Sequence, residues 1–95
     1  MVGSDFDEAV RQTILDLAPG EVVTYGWVAL EAGFPGRARG VGTFLAARYD
    51  GPNWWRVVGA DRRLRAPHVD EQERRLRAEG VTVAGGVVRG PVMRP

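Results

Sequence analysis

The chain has 95 residues, 44% of them hydrophobic and 26% charged, which predicts a single small globular domain over residues 1–95. It contains no cysteine and one histidine, which excludes disulfides, thiolate metal sites and thiol nucleophiles and argues against a Ser-His-Asp triad. The net charge of +1 excludes a polycation, and with neither a bilayer-spanning run nor a secretory signal we expect a cytoplasmic protein without metal or cofactor.

The first predicted element is an amphipathic helix over residues 5–17, which Pro19 and Gly20 end. Asp5, followed three residues later by Glu8, resembles a capping box at its start. Residues 21–23 then predict a short extended segment. The inward face of the helix is predicted at Phe6, Val10, Thr13, Ile14 and Leu17.

Residues 24–47 predict two short helices around a tight turn. Thr24 suits the N-cap of the first helix, because its hydroxyl can accept from an early helical N–H. Gly33 ends that helix, and Pro35 cannot donate into a continuing one. In the second helix, the predicted buried stripe is Ala38, Val41, Phe44 and Leu45, with Arg37, Arg39, Gly40 and Gly42 on or beside the other face.

Gly40 and Gly42 lie inside that one short helix. Two such glycines cost roughly 1 kcal/mol each relative to alanine, which indicates that something approaches the backbone closely. DNA and a neighbouring helix are equal candidates from spacing alone. The helix contains no Asn or Gln, so sequence-specific reading of the major groove is poorly supported.

Residues 49–53 predict a loop, and residues 54–58 an extended segment that contains two adjacent tryptophans. Neighbouring side chains of an extended segment point to opposite faces. We therefore expect one of Trp54 and Trp55 in the core and the other on a surface or cleft.

The remaining residues predict a turn at 59–63, an irregular basic loop at 64–67, and a helix at 69–79. His68 is expected to be a loop residue. Asp70 and Glu73 are spaced like a cap and its partner, and Gly80 closes the helix. Val69 and Leu76 are predicted to face inward, with Arg74, Arg75 and Arg77 on a solvated face.

Glu79 opposes the helix dipole in the last turn, which predicts a tertiary partner for its carboxylate. Residues 81–83 and 87–92, with Gly85 and Gly86 between them, predict a small hairpin or wing.

The order of these motifs resembles the DNA-binding domain of the O6-alkylguanine-DNA alkyltransferases, and most of all their cysteine-free relatives, the alkyltransferase-like proteins. The resemblance covers residues 6–83 and implies a mainly α fold with small β elements, a winged-helix-like helix-turn-helix domain as in the alkyltransferase C-terminal domain. The matching motifs are Pro-Gly, Val-x-Thr-Tyr-Gly, Gly-x-Pro, Ala-Arg-x-Val-Gly-x-x-Leu, x-Trp-x-Arg-Val and Leu-x-x-Glu-Gly.

The transferases carry Pro-Cys-His-Arg-Val where this chain has residues 53–57. By this resemblance Trp54 replaces the alkyl-accepting cysteine, Trp55 replaces the histidine and Asn53 the proline, while Glu79 matches the glutamate that orients the histidine. An indole N–H is a donor only. Without a thiolate the transfer reaction is excluded, so the resemblance implies a protein that is not an enzyme.

The resemblance also implies that the second helix of the motif enters the minor groove and that the damaged nucleotide is flipped. Arg39 matches the arginine that fills the vacated space in the base stack, and Tyr25 the tyrosine that presses on the 3′ phosphate. The implied DNA-binding residues are Thr24, Tyr25, Ala38, Arg39, Gly40 and Gly42. The implied lesion pocket is Trp54, Trp55, Val57 and Arg65, with Arg63 as the alternative to Arg65.

The prediction is thus a monomeric DNA damage sensor that binds O6-alkylguanine in double-stranded DNA, is nucleoid-associated when bound, and marks the lesion for nucleotide excision repair proteins. The alternative is a helix-turn-helix regulator or architectural module without lesion specificity. An enzyme of unknown chemistry is disfavoured, because no nucleophile and base can be paired.

Overall fold

In the computed structural model, which describes residues 5–65, 68–90 and 92, short helices carry most of the regular structure. The helices are α1 (Asp5–Leu15), α2 (Tyr25–Glu31), α3 (Ala38–Ala47) and α4 (Val69–Ala78), with a 3-10 turn at Trp54–Arg56. The strands are β1 (Val23–Thr24), β2 (Val57–Val58), β3 (Val83–Ala84) and β4 (Val87–Val88). Within these ranges no helix has the length and apolar content needed to cross a bilayer.

Helix α1 is shorter than predicted, because it ends at Leu15. Phe6, Val10 and Ile14 are buried as expected, and Leu17 is buried just beyond the helix. Thr13 is only partly buried, and its hydroxyl donates to the carbonyl of Ala9 at 2.9 Å. The prediction that Asp5 is the N-cap of α1 is wrong, because Asp5 is already part of the helix. The position before it lies outside the described residues.

Helices α2 and α3 form the predicted helix-turn-helix. Thr24 caps α2, because its hydroxyl accepts from the N–H of Trp27 at 3.0 Å. Gly33 and Gly36 have φ of +95° and +85°, the left-handed backbone that a tight turn needs and that glycine adopts at little cost. The chain can therefore reverse between the two helices within a few residues.

The predicted apolar stripe of α3 is half correct. Val41 and Phe44 are fully buried, in a core shared with α1 and α2. Ala38 and Leu45 are only partly buried, because they lie at the edge of the stripe, beside an open cavity.

Residues 54–58 are predicted to be extended, but only part of this segment is. Trp54–Arg56 form a 3-10 turn, and only Val57–Val58 form a strand. This strand pairs in parallel with β1, with Val23 opposite Val57 and Thr24 opposite Val58. The pairing joins the tryptophan segment to the start of α2.

The C-terminal part forms a second apolar cluster around Leu76, which is fully buried, while Val69 is partly buried. Asp70 is not the cap of α4, because it lies within the helix and residue 68 occupies the cap position without a side-chain hydrogen bond. Glu73 instead forms an ion pair with Arg77 at 2.9 Å. The arginines of α4 are exposed as predicted.

The predicted hairpin is confirmed but is shorter than expected, since only β3 and β4 pair, around Gly85 and Gly86 at φ of +61° and +73°. The turn at 59–63 is also confirmed, with the N–H of Arg62 donating to the carbonyl of Gly59 at 2.8 Å. Leu64, predicted in an irregular loop, is buried against the second cluster. Residues 66–67 of that loop and 91 and 93–95 of the C-terminal segment lie outside the described residues.

Candidate nucleic-acid interface

An open cavity of about 990 Å³ lies between the helix-turn-helix and the tryptophan segment. Small-molecule sites occupy roughly 300–1,000 Å³, so a group as large as a nucleobase fits with space to spare. We call the part formed by α2 and α3 the helix side, and the part formed by Trp54, the 59–65 turn and the start of α4 the tryptophan side. The predicted site residues that line the cavity are Thr24, Tyr25, Ala38, Arg39, Gly42, Trp54 and Arg65.

The two glycines of α3 have different reasons to be glycine. A Cβ at Gly40 would lie 3.1 Å from Cζ of Phe6, so this glycine allows α1 to pack closely. Gly40 does not line the cavity, and its implied contact with DNA stays a prediction. A Cβ at Gly42 would meet no described residue within 4 Å, and Gly42 faces the cavity. Close helix packing therefore explains Gly40, whereas Gly42 leaves the cavity-facing surface of α3 open.

The helix side presents one phenol and one guanidinium to the cavity. Burial raises the pKa of the Tyr25 hydroxyl, against the opposing effect of the positive charge of Arg65. Tyr25 is therefore a neutral hydrogen-bond donor at physiological pH. Arg39 is exposed and, within the described part of the chain, forms no ion pair. Its guanidinium is available to a phosphate or a base.

The side chains of Trp54 and Trp55 lie against different parts of the protein, although they belong to a 3-10 turn rather than to a strand. Their rings meet edge to face, with centroids 5.9 Å apart, and both are partly buried. Trp54 lines the cavity, whereas Trp55 packs against α4, with the guanidinium of Arg75 4.6 Å from its ring centroid. The predicted place of Trp55 in the pocket is therefore wrong.

Val57 does not line the cavity either. It is 1% exposed, because its pairing with Val23 places it in the core. The sequence shows Val57 next to the tryptophans but contains no local sign of this pairing.

Glu79 has the tertiary partner that its position predicts. Its carboxylate accepts from Nη2 of Arg56 at 2.6 Å, from Nε1 of Trp55 at 2.7 Å and from the N–H of Gly20 at 2.8 Å. Nη1 of Arg56 also donates to the carbonyl of Leu17 at 2.9 Å. Burial raises the pKa of the Glu79 carboxyl, but these hydrogen bonds outweigh it and hold that pKa below its ordinary value.

Asn53 ties the tryptophan segment to the end of α1. Its backbone has φ of +74°, in the left-handed region that asparagine tolerates better than most residues. Its amide nitrogen lies 3.0 Å from the carbonyl oxygen of Ile14 and 3.2 Å from those of Leu15 and Leu17. All three carbonyls lie at or just beyond the end of α1, where that of Ile14 also accepts from the N–H of Leu17 at 3.1 Å, so Asn53 adds a donor at the point where α1 stops.

Between the two arginines that the resemblance offered, the structure brings Arg65 to the cavity and leaves Arg63 outside it. Arg63 forms an isolated antiparallel bridge with Val87 of the hairpin. The sequence missed several other lining residues. Leu45 and Ala46 follow Gly42 at the three- and four-residue spacing of one helix face, a signal that could have found them. The remaining missed residues lie in α2, in α3, in loops and at the start of α4, and are Gly26, Thr43, Tyr49, Asp50, Gly51, Gly59, Ala60, His68 and Glu71.

The fold and the cavity define a class: a small, mainly α, winged-helix-like helix-turn-helix domain with a base-sized cavity beside its second helix. The chain belongs to the family described as 6-O-methylguanine DNA methyltransferase, DNA binding domain, which it matches over residues 5–81. The resemblance seen in the sequence is thereby confirmed.

Two relatives are named DNA base-flipping protein. The protein of Vibrio parahaemolyticus is 37% identical, with 75% of each chain covered. The protein of Escherichia coli is 39% identical, covering 84% of this chain and 65% of the relative.

Two solved structures share the fold. S. pombe Atl1 in complex with damaged DNA containing O6-carboxymethylguanine has a TM-score of 0.76 and 27% identity, covering 88% of this chain and 83% of that one. Mycobacterium tuberculosis O6-methylguanine methyltransferase has a TM-score of 0.71 and 30% identity, covering 81% of this chain and 49% of that one.

Proposed function

We propose that this protein is a non-enzymatic sensor that binds double-stranded DNA carrying O6-alkylguanine. In this proposal α3 enters the minor groove, the lesion rotates into the cavity, and the bound complex marks the site for nucleotide excision repair. The observation that carries the proposal is that Trp54 lines the cavity, since the sequence resemblance matches this residue to the alkyl-accepting cysteine of the transferases.

The proposed roles of the cavity residues combine their positions in the structure with the roles that the family resemblance implies. Gly42 and Ala38 leave the cavity-facing surface of α3 without bulky side chains, so that the helix can approach the DNA backbone closely. Arg39 replaces the extruded nucleotide in the base stack, and the neutral Tyr25 hydroxyl donates to a phosphate beside it. Flipping costs a few kcal/mol, and less for a weakly paired base such as an O6-alkylated guanine.

The flipped base would contact the indole of Trp54, and base–aromatic stacking contributes roughly 1–3 kcal/mol. No alkyl transfer follows, because the chain has no cysteine and an indole N–H is not a nucleophile. The lesion stays intact, so the protein must hand it to other repair proteins.

Two similarities support this proposal. The bacterial relatives are named for base flipping, and S. pombe Atl1 has been crystallised in complex with DNA containing O6-carboxymethylguanine. Atl1 shares 27% of its aligned residues with this chain, so the choice of lesion and the link to excision repair belong to the proposal.

The test is a fluorescence anisotropy titration of otherwise identical duplexes containing O6-methylguanine or guanine, at one salt concentration. We expect tighter binding of the lesion duplex, and equal affinities would overturn the proposal. A strong preference for one undamaged sequence would favour the regulator alternative instead.

Two variants test the assigned roles in the same titration. Arg39→Ala should weaken binding of the lesion duplex, and Trp54→Ala should lower the preference for the lesion by about tenfold, the loss of one base stack. Arg74→Ala is the matched control, because Arg74 is exposed on α4 and does not line the cavity. Affinities unchanged from wild type would refute the roles.

A further inference from the structure

We propose that Asp61 and Gly59 form a cradle that holds Arg65 across the cavity, which makes Asp61 a positioning residue for lesion preference. This inference rests on the proposed function, since it concerns how the cavity receives a flipped base. The argument starts from the reason why residue 59 is a glycine.

Gly59 is buried and its φ is not positive, so its backbone does not require glycine. The space beside its Cα is instead occupied by the side chains of Arg65 and Asp61, which a Cβ would displace. A Cβ there would lie 2.5 Å from Nε of Arg65, 3.2 Å from Cδ of Arg65 and 2.7 Å from Oδ1 of Asp61. The Arg65 side chain therefore lies directly over the Gly59 backbone, in space that any other residue type would fill.

The carboxylate of Asp61 fixes the outer end of Arg65. Oδ1 accepts from the backbone N–H of Arg63 at 3.1 Å, which orients the carboxylate within the turn. Oδ2 then accepts from Nη2 of Arg65 at 2.6 Å. One oxygen is thus held by the turn, and the other accepts from the guanidinium of Arg65 and lies farther, at 3.7 Å, from Nε of Arg63.

The other carboxylate on the tryptophan side of the cavity is already engaged. Glu71 accepts from Nε of Arg75 at 2.8 Å, as an ion pair within α4. Among the described carboxylates, Asp61 is the one that the structure pairs with the guanidinium of Arg65, which lines the cavity together with Tyr25 and Trp54.

A guanidinium held at the cavity can stack over an entering base. A long side chain loses rotamer freedom on binding, and a cradle that orders Arg65 beforehand reduces that cost. The pair with Asp61 is exposed, with side chains 54% and 46% accessible, so it orients Arg65 without preventing it from shifting towards a base.

The experiment uses the full chain and two independent readouts. The first is side-chain NMR of the Arg65 Nε–Hε group without DNA, in which a cradled guanidinium gives a high order parameter. The second is the ratio of dissociation constants for guanine and O6-methylguanine duplexes, in which changes in general charge attraction cancel.

Three variants probe the cradle. Arg65→Ala should lower the ratio about threefold to fivefold, the effect of one cation–π contact. Asp61→Asn keeps the acceptor for the Arg63 N–H but loses the charge, and Gly59→Ala keeps every charge but displaces Arg65. Both variants should lower the order parameter of the Arg65 Nε–Hε group. Both should also lower the ratio of dissociation constants by at least half as much as Arg65→Ala does.

The matched controls sit away from the cavity. Glu73→Gln makes the same change of charge in an ion pair within α4, and Gly90→Ala adds a methyl where none of the described residues lies within 4 Å. Neither should change the order parameter of Arg65 or the ratio.

An Arg65 that stays ordered in Asp61→Asn, or a ratio that falls only in Arg65→Ala, would overturn the inference. A wild-type ratio of one would instead overturn the proposed function, while the DNA-free NMR result would still decide whether Asp61 holds Arg65. Melting temperatures of all variants identify any that fail to fold.

Discussion

The two sides of the cavity are held in place by different forces. On the helix side, α3 is anchored by Val41 and Phe44, both fully buried in the core shared with α1 and α2. On the tryptophan side, the 3-10 turn is held by polar groups, with Asn53 on the end of α1 and the buried Arg56–Glu79 ion pair on the end of α4.

This difference matters because the two forces control different properties. Apolar burial is non-directional and anchors a whole helix, whereas hydrogen bonds and ion pairs fix the orientation of particular groups. We therefore expect substitutions on the helix side to change DNA affinity in general. Substitutions in the polar network should change the stability of the turn that carries Trp54 and the preference for a lesion.

Glu79→Ala is expected to have the largest effect on stability. It leaves the guanidinium of Arg56, only 7% exposed, without its carboxylate, and breaking one partner of a buried pair costs about 3–5 kcal/mol. Urea denaturation followed by tryptophan fluorescence measures the loss. Glu73→Gln, at an exposed pair, should cost less than about 1 kcal/mol, and similar losses for the two variants would remove the contrast between the sides.

Acid should act on the same carboxylate. The folded pKa of Glu79 is lower than its ordinary value of 4.5, so its stabilising contribution is complete well above pH 4.5 and is lost as the pH falls through the folded pKa. Wild type should therefore lose more unfolding free energy between pH 6 and pH 3 than Glu79→Gln. Parallel curves for the two proteins would show that another group controls acid unfolding.

Two substitutions of Asn53 distinguish the contribution of its hydrogen bonds to stability from the cost of its left-handed backbone. Asn53→Gly keeps the φ of +74° accessible and loses only the amide contacts, at about 1 kcal/mol. Asn53→Ala adds the cost of a left-handed backbone, about 1–2 kcal/mol more. The midpoints of urea denaturation should fall in the order wild type, Asn53→Gly, Asn53→Ala. An alanine variant as stable as the glycine variant would show that the backbone is not strained.

Gly42→Ala should give the smallest change in stability and a change in function of opposite sign. A methyl at Gly42 would meet no described residue within 4 Å, so better helix propensity should raise stability by up to about 1 kcal/mol. The same methyl projects into the cavity, so affinity for both duplexes should fall. Gly40→Ala is the control, because its methyl is directed at Phe6; unchanged DNA binding by Gly42→Ala would mean that α3 does not approach DNA there.

The sequence by itself determined the helix-turn-helix, because its signals act over a few residues. The Thr24 cap, the Gly33 and Gly36 turn and the glycines of the hairpin each specify a local backbone conformation, and the structure has them in place. The motif order likewise identified the family, together with Trp54 and Arg39, which both line the cavity.

Tertiary structure decided which neighbours reach the cavity. Val57 is buried by pairing with Val23, Gly40 is explained by Phe6, and Trp55 is turned away by its bond to Glu79. Each of these partners lies more than 20 residues away along the chain, so no local periodicity records the contact. Residues adjacent in sequence can therefore share composition and motif yet differ in function, because distant partners determine where their side chains lie.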